Sequence, residues 1–169
     1  GKKIQLGSIG YLQRDSPTFQ YSLCDGLGND VSGAFSFWIY PSDITLERRI
    51  IVYKRIDGFE SEFRIIIDNN RFIFQLFNIN ATAVLTKALD ITGYALNNKH
   101  HLGVQFNPPG VGGGSLNDMY IIENGLIIDN ANPRITTGSA GTYSGMSQTG
   151  QVITIGSKSE SPQTGNFEG

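Results

Sequence analysis

The sequence predicts an all-β protein, a two-sheet antiparallel sandwich of the jelly-roll type. Three observations carry that expectation. Among 169 residues, Gly occurs 21 times and charged residues make up only 17%, while Phe, Ile and Tyr are plentiful and Ala, Leu and Met sparse, a balance that favours strands and turns over helices. Apolar runs are short and alternate with a period of two. Turn chemistry separates them: "DGLGND", "YPSD", "IDGF", "DNN", "NPPGVGGGS", "ENG" and "ANP". The length suits one domain over 1–169 with a core able to fold unaided.

Taken in order, the strands are expected at 3–6, 18–24, 34–40, 49–55, 61–67, 71–77, 100–106, 118–123, 125–128 and 151–156. "IIIDNNRFIF" has the layout of a tight hairpin, because Asp68, Asn69 and Asn70 tolerate left-handed backbone angles between apolar strands. "IIENGLII" repeats the design, with Asn124-Gly125 as the strongest hairpin signal in the chain. Residues 82–96 come nearest to a helical pattern, but Thr, Ile and Gly93 favour strand plus loop. Residues 129–150 are rich in Thr, Ser, Gly and Asn and read as a long surface loop. Cys24, the lone cysteine, reads as a small buried residue.

Alternation assigns faces. Phe35, Phe37 and Ile39 share one face of their strand, and Ser36, Trp38 and Tyr40 the other. Phe63, Ile65 and Ile67, with Phe72, Phe74 and Leu76, complete an inner layer rich in benzyl groups. The outer residues are mixed: Trp38, Tyr40, Arg64, Asp68 and Gln75. Aromatic rings beside hydrogen-bonding groups suit the C–H faces and hydroxyls of a sugar, so these five are the candidate ligand-binding residues. Trp is highly buried on average, however, which favours Trp38 packing under a neighbouring loop in a second, smaller layer.

The order of "FSFWIYPSD", "RRIIVYKR", "FRIIIDNNRFIFQLF", "KHHLGVQFN", "MYIIENG", "GTYSGMSQTGQVITIGS" and "NFEG" resembles the LamG-like branch of the concanavalin A-like lectin/glucanase superfamily over residues 31–169. The last motifs look most like modules of bacteriophage and viral structural proteins and bacterial surface proteins. The resemblance implies a lectin-like jelly roll that binds a glycan or a protein on a virion or cell surface, outside the cell, with calcium near one rim in some members. It departs from the pattern at Lys99, where a Trp usually precedes "HH". "IIENG" is one residue longer than usual, which is consistent with a bulge. "NFEG" ends where a closing "IDE" strand is expected, so either the chain is cut there or another segment fills that strand's place, the N-terminal "KKIQLGSIGYLQ" or a neighbouring subunit at the sheet edge near Gly169 being the candidates.

Because the superfamily includes glucanases, catalysis has to be weighed. Retaining glycosidases use two carboxyls about 5–5.5 Å apart, and the glucanase "E-x-D-x-x-E" strand is absent. Glu60 and Glu62 are two apart but start a strand, where a solvated rim is the expected setting. His100 and His101 fall on opposite faces and make poor partners for one metal ion. With no nucleophile elbow either, the expectation is that the chain is not an enzyme and has no catalytic residues. Asp25, Asn29 and Asp30 in "CDGLGND" are the best calcium candidates by ligand hardness, although a polar hairpin loop explains the same residues and is favoured. A net charge of −2 and the lack of a basic stripe argue against nucleic acid, and no apolar run is long enough to insert in a membrane. The function expected is non-catalytic recognition of a glycan or surface protein. A capsid or tail decoration or assembly domain is the first alternative, and a glycoside hydrolase the less favoured second.

Overall fold

The computed structural model describes residues 12–14, 22–25, 27, 29–54, 62–78, 84–146 and 152–155. The strands are β1 (Leu12–Arg14), β2 (Gly33–Ile39), β3 (Arg48–Lys54), β4 (Phe63–Asp68), β5 (Arg71–Phe77), β6 (Val84–Asp90), β7 (His100–Phe106), β8 (Met119–Glu123), β9 (Leu126–Ile127), β10 (Ile135–Ala140) and β11 (Val152–Ile155). They form two antiparallel sheets. One has seven strands in the order β1-β11-β3-β4-β5-β6-β10, and the other four in the order β2-β7-β8-β9. This is the expected all-β, jelly-roll-like sandwich.

The two short hairpins form for the reason the sequence suggests. Asn69 and Asn70 adopt φ of 47° and 59°, and Asn124 and Gly125 adopt 53° and 81°, the twist that a two-residue hairpin needs. Each strand pair then runs in continuous register, Phe63↔Leu76 to Asp68↔Arg71 in β4–β5 and Glu123↔Leu126 in β8–β9. No register shift marks "IIENG", so the expected bulge is not there; the irregularity lies between Arg49 and Ile51 in the β3–β4 pairing.

The inner faces meet through the benzyl side chains. Phe63, Phe72, Phe74 and Phe106 are fully buried, and burial of each contributes about 1.5–3 kcal/mol. Contacts across the sandwich are specific: the Phe35 and Phe63 rings lie 5.1 Å apart, and Phe37 meets Phe72 edge-on at 6.0 Å. Cys24 is buried, as expected.

Two expectations about elements need correction. Residues 135–140, assigned to a loop, form β10, which pairs with β6 from Ile135↔Leu89 to Ala140↔Val84. Thr, Gly and Ser carry no apolar alternation, so only the pairing reveals the strand. β1 was also missed, and it pairs with β11. The strand expected at 3–6 and most of that at 18–24 lie outside the described residues, as does the segment near Gly169.

Polar residues lock the ends of the sandwich. Lys87 lies on the inward face of β6 and is only 1% exposed. Its ammonium reaches the other sheet, donating to the carbonyls of Leu116 (2.7 Å) and Met119 and to Asn130 Oδ1 (2.8 Å). Burial pushes Lys87 below its ordinary value and Asp118 opposes that shift. Nearby, Arg134 grips Glu123 through two hydrogen bonds, 3.0 and 2.7 Å, and Tyr94 Oη donates to the same carboxylate. Arg134, and then Tyr94, hold Glu123 below the ordinary glutamate value against the opposing effect of burial. Tyr94 is itself pushed up, chiefly by burial, and stacks on His100 at 4.2 Å.

Candidate functional site

The five residues proposed for ligand contact do not form one site. Trp38 and Tyr40 belong to β2 and its end, on the four-stranded sheet, whereas Arg64, Asp68 and Gln75 lie on β4 and β5 of the seven-stranded sheet. Both groups face outward, so the core separates them. Alternation specifies a side of a strand, not the sheet to which the strand belongs.

The second group gathers around a groove. Register places Ile66, Ile73 and Ala88 in one row across β4, β5 and β6, and these three form an apolar cluster separate from the main core. They are its floor. On one side runs a polar row in which Arg64 Nε donates to Gln75 Oε1 (2.5 Å) and Gln75 Nε2 donates to Thr86 Oγ1 (3.0 Å). The Arg64 guanidinium also lies 5.4 Å from the centre of the Phe77 ring. On the other side stand Asp68 and Arg71, directly opposed across the hairpin. Glu47, Thr136, Thr137 and Gly138 complete a depression of about 320 Å³. Ile66, Ile73, Thr136 and Gly138 were not among the predicted contacts. The outward positions of β4 and β5 were readable from alternation, but the contribution of β10 was not.

The first group is open. Trp38 is 68% exposed and Tyr40 46%, so the expected packing of Trp38 under a loop does not occur. The Trp38 ring leans on His101, centroids 5.0 Å apart, and His101 Nε2 shares a 2.6 Å hydrogen bond with Ser36 Oγ. His100, on the opposite face, bonds the Ala95 carbonyl at 2.9 Å.

The three calcium candidates accept hydrogen bonds from the chain. Asp25 Oδ1 accepts the N–H groups of Leu27 and Asn29, and Asp25 Oδ2 accepts the Asn29 side-chain amide. Asn29 Oδ1 accepts the N–H of Gly112 at 3.0 Å. Asp30 is fully buried: Oδ1 accepts from Met146 N (2.8 Å), and Oδ2 from Gly114 N (2.7 Å) and Tyr143 Oη (3.0 Å). Burial raises the Asp30 carboxyl above its ordinary value, and the hydrogen bonds work against that rise. Asp30 thus clamps two distant loops to the hairpin. Among the described residues, no group of three or more His, Cys, Asp or Glu is placed to hold a metal ion.

Of the carboxylate pair weighed for catalysis, only Glu62 is described. Glu60 lies outside the described residues. Glu62 is buried and accepts from Ser22 Oγ at 2.8 Å, rather than standing on the expected solvated rim.

These features define the class, an antiparallel jelly-roll-like sandwich. No family model and no curated protein sequence matches the chain. Among solved structures, the binding domain of botulinum neurotoxin serotype G is similar, with a TM-score of 0.56 and 14% identity over 90% of this chain and 33% of that one. A mutant form of HCR/D is also similar, with a TM-score of 0.50 and 17% identity over 92% of this chain and 37% of that one. Likeness at this identity concerns the fold, and the chain spans about a third of each neighbour's length. No helix among the described residues is long and apolar enough to cross a membrane.

Proposed function

We propose that the chain is a non-catalytic recognition module of the LamG-like kind, exposed outside a cell or on a virion, which holds a surface protein in the groove of its seven-stranded sheet. The observation that carries this reading is the groove: an aliphatic floor of Ile66, Ile73 and Ala88 between two polar rows. Aliphatic side chains of a partner would lose water on that floor, while Asp68 and Arg71 offer both signs of charge at its margin. Among the described residues that line the groove none is aromatic, and its aliphatic floor fits a polypeptide better than a sugar. The similarity to the binding domain of botulinum neurotoxin serotype G supports the reading through the fold alone.

The test is binding of labelled chain to intact cell surfaces before and after protease treatment. Binding that is lost with protease, and lost in Arg71→Glu while folding is unchanged, is the expected result. Binding that survives both, with free sialyllactose and hyaluronan hexasaccharide present in excess to occupy any sugar site, would refute the proposal. A second reading, subunit assembly, draws on β10, the edge strand of its sheet among the described residues, whose positions from Thr136 to Ala140 are all exposed. Sedimentation at rising concentration tests it: self-association lost on a Thr137→Pro substitution supports assembly.

A further inference from the structure

We propose that the outer face of the four-stranded sheet carries a second binding site, for an anionic saccharide, built from Trp38, Tyr40, His101 and Lys99. This site is independent of the groove, since the sandwich core lies between them. Its first element is an aromatic pair. Trp38 lies on β2 and Tyr40 immediately follows its last residue, Ile39, and both rings are exposed. Such rings offer flat apolar faces to the C–H side of a pyranose and hydrogen-bonding edges to its hydroxyls.

The second element is orientation. Trp38 sits directly opposite His101 in the β2–β7 register and rests against it at 5.0 Å. His101 is in turn tied to Ser36. This chain of contacts limits the freedom of the indole before any ligand arrives, which lowers the entropic cost of binding. Beside it, Gly103 leaves the surface flat: a Cβ there would meet the Phe35 carbonyl oxygen at 2.7 Å.

The third element is charge. Lys99 is two residues before His101, immediately beyond the last paired residues of β2 and β7, and is exposed. The register places no Asp or Glu on the outward rows of β2, β7 and β8. Glu123, the carboxylate nearest in sequence on β8, lies in the inward row opposite Leu102 and is held by Arg134 and Tyr94. An aromatic platform with a cation at its margin and no Asp or Glu on the outward rows of its own three strands selects a sugar bearing a negative group over a neutral one.

The experiment uses the whole chain in biolayer interferometry against immobilised sialyllactose, a hyaluronan hexasaccharide and lactose. The expected result is retention of at least one acidic probe, little or no retention of lactose, and weakening by added salt. Trp38→Ala and Lys99→Glu should each reduce affinity about tenfold or more, whereas Arg71→Glu in the groove should not. Lys99 is exposed beyond the end of β7, so its variant tests the idea even if Trp38→Ala folds poorly. Equal retention of lactose and the acidic probes, no retention of either acidic probe, or unchanged affinity in both variants would overturn the proposal. Loss of protein recognition in Arg71→Glu with acidic-sugar binding intact would separate this site from the groove.

Discussion

Replacing Asp30 by Asn tests the loop architecture with nearly no change of shape. The carboxylate accepts from Met146 N on one oxygen and from Gly114 N and Tyr143 Oη on the other. An Asn side chain keeps one oxygen and presents an NH₂ group to the remaining donors. At best two of the three bonds survive, and a backbone N–H faces a donor in a fully buried place. Losing one charge-assisted bond costs about 1.5–3 kcal/mol, and an unsatisfied buried donor costs about 1–3 kcal/mol. These overlap, and release of a buried charge offsets part of them, so the expected net loss is about 2–4 kcal/mol. For a domain of this size that lowers Tm by roughly 4–16 °C. Thermal denaturation followed by circular dichroism measures it. A variant within about 0.5 kcal/mol of wild type at neutral pH would refute the clamp.

Other perturbations have equally definite outcomes. Lys87→Met should cost about 1–3 kcal/mol in urea denaturation, since it strands the Leu116 and Met119 carbonyls while relieving a buried charge; a more stable variant would show that desolvation outweighs the bonds. Glu123 is held below its ordinary value of 4.5, so its stabilisation is present above that value and lost as pH falls through the folded one. Glu123→Gln should thus be less stable by about 1 kcal/mol near neutrality for this partly exposed pair, with the difference vanishing in acid; a difference constant with pH would contradict the assignment. Added calcium should leave Tm unchanged because the oxygens of Asp25, Asn29 and Asp30 already accept N–H donors; a rise of several degrees that a chelator reverses would reinstate the metal.

Much of the scaffold was legible in the sequence because it is written in local chemistry. The Asn69-Asn70 and Asn124-Gly125 turns fix their hairpins through backbone angles, and Phe63, Phe72 and Phe74 declare the inner face by alternation. What escaped depends on distant partners. β10 is a strand because β6 lies beside it. Lys87 stands inward among apolar neighbours because carbonyls of the other sheet receive it. The burial of Asp30 could not be read from "CDGLGND" either, because the N–H groups it accepts from, those of Gly114 and Met146, come from distant parts of the chain. The candidate site was half visible for the same reason. Each residue's side of its strand could be read, but the separation of Trp38 from Arg64 follows from the pairing of β2 with β7, sixty-odd residues along the chain.

The central claim is that the outer face of the seven-stranded sheet is the surface that meets a protein partner. Hydrogen exchange of the chain, free and mixed with the protease-sensitive surface protein it retains, tests this most directly. Slower exchange confined to β4, β5, β6 and β10 around the Ile66, Ile73 and Ala88 floor is the predicted result. Protection restricted to β2 and β7, with the groove strands unchanged, would contradict it.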